Sequence, residues 1–181
     1  MRQESIKKIL DTSLQLFGTK GYHSTSISEI AKKAGISKGL MYNYFESKEH
    51  LLREMVKDMM SHDEQFKDAF INDDPSVMLR NLITVFFEEI QKNKSQWKLI
   101  TSLSLQIDEF DFIHKIALKK MEGYHILLSD LLKHIGFENP ENEAKLLAAL
   151  FDGIGMQYLI LDNDYPLQEI QDYLLKKYCS Q

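Results

Sequence analysis

Apolar residues recur at three- and four-residue spacing along almost the whole chain, and that period limits the fold more than any other feature. Ile6, Ile9, Leu10, Leu14 and Phe17 fall on one side of a first helix. Matching stripes predict helices over about 4–20, 27–34, 38–44, 48–70, 75–92, a stretch after Ser95, 109–134, 140–162 and 166–178. No run alternates apolar and polar residues between hairpin turns, so strands are not expected. Pro75, Pro140 and Pro166 each stand where a helix begins, the place where a missing N–H costs least. The expected fold class is all-α, with about nine helices.

The bulk properties narrow the setting. With 181 residues, 44% of them hydrophobic, the chain can bury a core, and disorder is excluded. Cys179 is the only cysteine, which rules out a disulfide within the chain and fits a reducing compartment. No apolar region of signal-peptide length follows Met1, and runs such as Leu146–Phe151 are too short for a bilayer, so a soluble cytoplasmic protein without a membrane partner is expected. Charge is unevenly placed. Residues 1–58 carry ten Lys/Arg against seven Asp/Glu, a net +3, whereas residues 59–181 carry twelve against twenty, a net −8. A mildly basic head on an acidic body suits a DNA-reading head whose body is repelled from DNA.

The most specific pattern is Ser26 to Phe45. Ser26-Ile27-Ser28-Glu29 has the form of a capping box that starts a helix. Ile30, Ala31 and Ala34 mark its inner face, and Gly35 supplies the left-handed residue needed to end it. Ile36 plugs the corner, Ser37 caps the next helix, and Met41 and Tyr44 continue the inner face. Two short helices crossing through such a turn form a helix-turn-helix. Lys38, Gly39, Leu40, Tyr42 and Asn43 then point outward near the positive end of the second helix, which fits a DNA groove. The expected organisation is an N-terminal three-helix helix-turn-helix domain over 1–47 and a C-terminal helical bundle over 48–181.

Together, Phe17-Gly18-Thr19-Lys20-Gly21-Tyr22, Thr25-Ser26-Ile27, Ala34-Gly35-Ile36-Ser37-Lys38-Gly39, Tyr42-Asn43-Tyr44-Phe45 and Ser47-Lys48-Glu49-His50-Leu51 resemble the N-terminal domain of TetR-type repressors. The resemblance covers about residues 5–52. It implies a transcriptional repressor that binds a palindromic operator in double-stranded DNA as a homodimer and is released by a small-molecule effector. It implies that Thr25 and Ser26 touch phosphate, that Ser37, Lys38 and Gly39 approach the groove, that Tyr42, Asn43 and Tyr44 contact backbone or bases, and that Lys48 pairs with phosphate. Leu40 departs from the polar residue common at its position, yet its methyls can meet a thymine methyl.

In the body, residues 140–162 are apolar around most of the helix, which predicts burial on two sides. Leu147, Phe151, Gly155 and Tyr158, with Ile170 and Leu174 of the last helix, are the expected dimer interface. Gly153 and Gly155 each cost roughly 1 kcal/mol in a helix, which close helix approach would explain. The resembled family encloses an effector cavity between the middle helices, and Phe86, Trp97, Ile100, Phe110, Met121, Tyr124 and His125 are the expected ligand-binding residues.

Two other classes compete. Asp111-x-x-His114 and Glu122-x-x-His125 look like halves of a di-iron site in a metal-dependent helical-bundle enzyme, but both lie on one predicted helix, eleven residues apart, and cannot face each other. Gly153-x-Gly155 lacks the third glycine and the preceding strand of a nucleotide loop. A helical adaptor without DNA binding would need no Lys38/Tyr42 arrangement. The expectation is a regulator, not an enzyme, with no metal and no cofactor.

Overall fold

The computed structural model describes residues 2–61, 71–106 and 108–179, and those residues form nine α-helices, a 3-10 turn and no strand. The helices are α1 (Arg2–Lys20), α2 (Ile27–Ala34), α3 (Lys38–Tyr44), α4 (Lys48–Ser61), α5 (Pro75–Lys92), α6 (Lys94–Ser104), α7 (Asp111–Ile135), α8 (Pro140–Leu161) and α9 (Leu167–Cys179). The all-α expectation holds. The part of the expected 48–70 helix beyond residue 61 lies outside the described residues.

Local chemistry sets the helix ends. Asp74 accepts the Ser76 N–H at 2.8 Å ahead of Pro75, so α5 starts on a capped, proline-led turn. Gly136 ends α7 in the left-handed region at φ 104°, with its N–H bonded to Leu132 and Lys133 carbonyls.

Two apolar cores result. The first joins α1, α2, α3 and α4 through Ile9, Phe17, Ile30, Met41, Leu51 and Met55, and continues into the body through Leu99, Leu103, Phe110 and Ile113. The second lies under α5, α7, α8 and α9, around Leu79, Ile83, Phe87, Leu132, Leu147 and Tyr178. α7 runs along α8, α9 packs on α5, and α1 packs on α6. Each fully buried Leu, Ile or Phe contributes roughly 1.5–3 kcal/mol by leaving water. The cavity described below lies between the two cores.

Candidate functional site

The head presents one short helix outward. Ser26 Oγ accepts the Glu29 N–H at 3.1 Å, and Ser37 Oγ accepts the Leu40 N–H at 3.1 Å, so α2 and α3 both start on side-chain caps. Gly35 stands at φ 70°, which lets the Ile36 N–H reach the Ala31 carbonyl at 3.0 Å and close the turn. Ile30, Ala31, Ala34 and Met41 are buried in the wedge between the two helices, with Ile36 and Tyr44 half-buried at its rim. Ser26, Ser37, Lys38, Gly39, Leu40, Tyr42 and Asn43 are exposed, Tyr42 at 47%. The Lys38 ammonium sits 6.0 Å over the Tyr42 ring. A Cβ added at Gly39 would meet nothing, so no internal packing explains that glycine.

The capping box closes on one side more than the other. The Glu29 carboxylate takes the Lys20 ammonium, and this bond, ahead of the one from the Ser26 backbone, holds it below the usual carboxylate range.

Two residues expected at DNA lie elsewhere. Thr25 is buried, and its hydroxyl donates to the Gly21 carbonyl at 2.9 Å, so it closes the α1–α2 turn from inside. Lys48 points into the junction between head and body. Its ammonium lies 4.2 Å from the Tyr22 ring centre and donates to the His23 carbonyl at 3.3 Å. Partial burial lowers its pKa, with Glu109 pulling the other way. The family pattern fixes these residues in sequence, but not which way their side chains turn.

Phe110 is a third correction. It was expected in the ligand cavity, yet it packs edge-on against Tyr22 at 5.1 Å, between head and body. Around it, His23 Nε2 lies 3.3 Å from both Glu109 Oε2 and Gln106 Oε1, and the Arg53 guanidinium sits 4.0 Å over Phe112. Gly18 completes this junction. A Cβ there would come within 2.7 Å of the Ser95 carbonyl oxygen, so only glycine lets α1 lie this close to α6. In the sequence Gly18 stands only as part of the Phe17–Tyr22 pattern, although a glycine inside a helical stripe is also a signal of close approach.

The body holds a cavity of 610 Å³, within the usual size range for small-molecule sites. Phe86, Trp97, Ile100, Met121, Tyr124 and His125 line it, six of the seven residues expected to do so. α4 contributes Val56 and Met59, and α7 adds Ile113 and His114. Leu105, Leu118 and Met121 line it while remaining largely exposed, which marks its open side. At the inner wall Phe86 stacks on Phe151 at 4.4 Å and meets Trp97 edge-on at 5.7 Å. Asp152, Glu89 and Lys120 add charge. Burial raises the Asp152 pKa, and His125 opposes the shift. Glu89 is half-buried and Asp152 exposed at the cavity, and a lone acid in a helical stripe reads simply as solvent-facing.

The expected dimer face is turned inward. Leu147 (0% exposed) and Leu174 are core residues of this chain, while Phe151 and Gly155 form cavity wall, Gly155 against Trp97. Tyr158 is half-buried beneath the Lys94 ammonium at 4.8 Å, and Ile170 is half-buried against the second core. The other side of α8 is the bare one, with Leu146 at 48% and Ile160 at 70%, and on α9 Tyr173 stands at 67%. α8 with its 3-10 extension is also long and apolar enough to cross a membrane by length and composition, at a mean hydropathy of 1.4. Counting only unbroken apolar runs hid this, because isolated polar residues interrupt a helix that is apolar on both faces.

Fold and site together define a helical regulator, with a helix-turn-helix head set on a ligand-sized cavity. Residues 9–55 match the family of bacterial regulatory proteins, tetR family. The HTH-type transcriptional regulator YuxN of Bacillus subtilis is 34% identical over 168 residues, spanning 87% of this chain and 54% of YuxN. This chain thus covers about half the length of that relative. The HTH-type transcriptional regulator BetI of Serratia proteamaculans is 28% identical, over 83% of this chain and 79% of BetI. In fold, a transcriptional regulator from Rhodococcus sp. Rha1 superposes with a TM-score of 0.79 at 17% identity, covering 97% of this chain and 96% of the other. Residues 9–55 are therefore a TetR-family helix-turn-helix domain, and the chain is similar to HTH-type transcriptional regulators along most of its length. These similarities support the regulator over a metal-dependent enzyme or an adaptor without DNA binding.

Proposed function

We propose that this chain binds a palindromic operator in double-stranded DNA as a homodimer in the cytoplasm, and that a small molecule entering the cavity releases it, so that it acts as a repressor. One observation carries this: the caps and the wedge between α2 and α3 are satisfied internally, while Lys38, Gly39, Leu40, Tyr42 and Asn43 are left exposed on one helix. Ser26, Ser37 and Tyr44 flank that face. Such a surface has no internal role and matches a groove-reading helix.

Residues 1–47 would act as the reading head and 48–181 as the body. The dimer would form on the bare face of α8, where Leu146, Leu150, Gly153, Gln157 and Ile160 follow a heptad-like stripe, joined by Tyr173 of α9. The body reaches the head through Gly18 against Ser95 and Tyr22 against Phe110, a few residues from the cavity-lining Ile113 and His114. A ligand that binds two arrangements of α6 and α7 unequally would therefore change the spacing of the two reading helices.

The test is a gel shift on DNA chosen by in vitro selection. Tyr42→Ala should weaken binding about tenfold while leaving stability within about 0.5 kcal/mol. Lys48→Ala should instead lower stability by about 0.5–2 kcal/mol through its lost ring contact. Unchanged DNA affinity in Tyr42→Ala would remove the assigned docking. Ile160→Glu should yield monomers by light scattering, and dimers persisting at low concentration would move the interface elsewhere.

A further inference from the structure

We infer that the cavity is a slot for one extended hydrocarbon chain, which it selects by length rather than by the charge of a head group. This rests on the cavity being the effector site.

The shape follows from which residues form the wall. Ile113, Ala117, Met121, Tyr124 and Leu128 line it at three- and four-residue spacing, so one face of α7 forms wall over residues 113–128, about 22 Å. Trp97, Ile100 and Ser104 make a matching stripe along α6. The two ends belong to different cores. Val56 and Ile113 are buried in the first core, toward the head, whereas Leu82, Phe86 and Leu128 are buried in the second. A volume of 610 Å³ spread over about 22 Å leaves a mean width of about 6 Å. Non-bonded carbon atoms approach to about 3.5–4.0 Å, so a single alkyl chain needs about 4–5 Å of width and a fused ring system about 7 Å or more. The chain fits, whereas the rings require α6 and α7 to separate.

The polar groups of the wall do not dictate a head group. Glu89 already accepts from Asn93 at 2.6 Å, Lys120 already has a partner, and Asp152 is exposed, where water screens its charge. His114, Tyr124 and His125 are half-buried on the same face of α7 as the apolar stripe. Leu105, Leu118 and Met121 stand exposed along one flank, so a polar head can stay in water there while the chain lies inside. Buried hydrocarbon is then what distinguishes ligands. Each methylene taken out of water strengthens binding about fourfold, until the chain outgrows the slot. At an advance of about 1.25 Å per carbon, about sixteen carbons fill this length.

Trp97 is the chain's only tryptophan and stands in the wall, so its fluorescence reports occupancy. The full chain is titrated with straight-chain carboxylates of eight to twenty carbons, with tetradecanol and tetradecyltrimethylammonium, and with lithocholate, a fused four-ring carboxylate. All stay below their micellar concentrations, and release of selected DNA is followed in parallel. Affinity should rise about fourfold per carbon to about fourteen carbons and level off at about sixteen. Exchanging the head group of the fourteen-carbon chain should change affinity by less than about threefold, and lithocholate should bind at least about tenfold more weakly than tetradecanoate. Ala117→Phe narrows the slot midway, and should weaken tetradecanoate about tenfold or more while changing octanoate by less than about threefold. Affinity that stops rising by about ten carbons, lithocholate binding as tightly as tetradecanoate, a larger head-group effect, or equal loss of both chains in Ala117→Phe overturns the slot. If ligands that break the pattern still saturate Trp97 and release DNA, the effector site itself stands. If the pattern holds while DNA stays bound, the slot stands and its effector role falls. If no compound alters Trp97 emission, both fall.

Discussion

The head and the body solve the same problem, packing amphipathic helices, with different kinds of information. In the head the deciding residues are neighbours in sequence. Ser26 with Glu29, Gly35 with Ile36, and Ser37 with Leu40 fix where each helix starts and stops, within hydrogen-bond reach of one another. One face is left apolar and one polar, so the outward set follows. In the body the deciding contacts are distant. α8 is apolar on two sides, and nothing local says whether Leu147 or Ile160 meets the core. Local devices make an element legible, whereas a choice between two similar faces needs the partners.

The largest test of this contrast compares buried residues of the two regions. Ile30→Ala in the head and Leu147→Ala in the body should each cost roughly 2–5 kcal/mol in urea titration, since both sites are fully enclosed within one chain. Leu147→Ala should leave the oligomeric state unchanged. Dissociation with little loss of stability would return Leu147 to an outer interface and erase the distinction drawn between the faces of α8.

A smaller effect is expected where the two regions meet. Gly18→Ala sets a methyl against the Ser95 backbone oxygen, which cannot swing aside as a side chain does. A loss of roughly 1–3 kcal/mol is expected, together with altered DNA affinity, because α1 carries the head. Normal stability and DNA affinity would show that head and body are less tightly joined than the close approach implies.

The smallest effect appears only in alkali and concerns the body alone. Tyr178 donates to Glu143 at 3.2 Å, and burial first, then the Glu143 charge, pushes its pKa up from 10.0 to about 12. The unfolded chain gives up this proton near pH 10, whereas the folded chain keeps it to about pH 12. Its contribution is therefore complete below pH 10 and is lost as pH rises to about 12. Tyr178→Phe should flatten that decline while changing neutral stability by no more than about 1 kcal/mol. An unchanged alkaline slope would place the titrating group elsewhere.

Much of the site was readable before any coordinates, and the misses share a cause. Lys38, Tyr42 and Asn43 are exposed on α3 because Met41 and Tyr44 face the other way on a short helix with one apolar side. Thr25 and Lys48 belong to the same recognisable segments and Phe110 to the start of a body helix, yet each turns toward a partner far along the chain or into a tight turn. Thr25 bonds to Gly21, while Lys48 and Phe110 both meet Tyr22. Six expected cavity residues do line the cavity, because aromatic and Met side chains on middle helices have few other places to go.

The period of the apolar residues, the prolines and the capped turn determined by themselves that the chain is helical and carries a helix-turn-helix, because those features act over a few residues and need no partner. Which face of α8 is core, which acid lies in the cavity wall, and how closely α1 approaches α6 were settled only by the tertiary structure. Those outcomes depend on which distant side chain fills the space opposite, and a sequence stripe carries no record of what lies across from it.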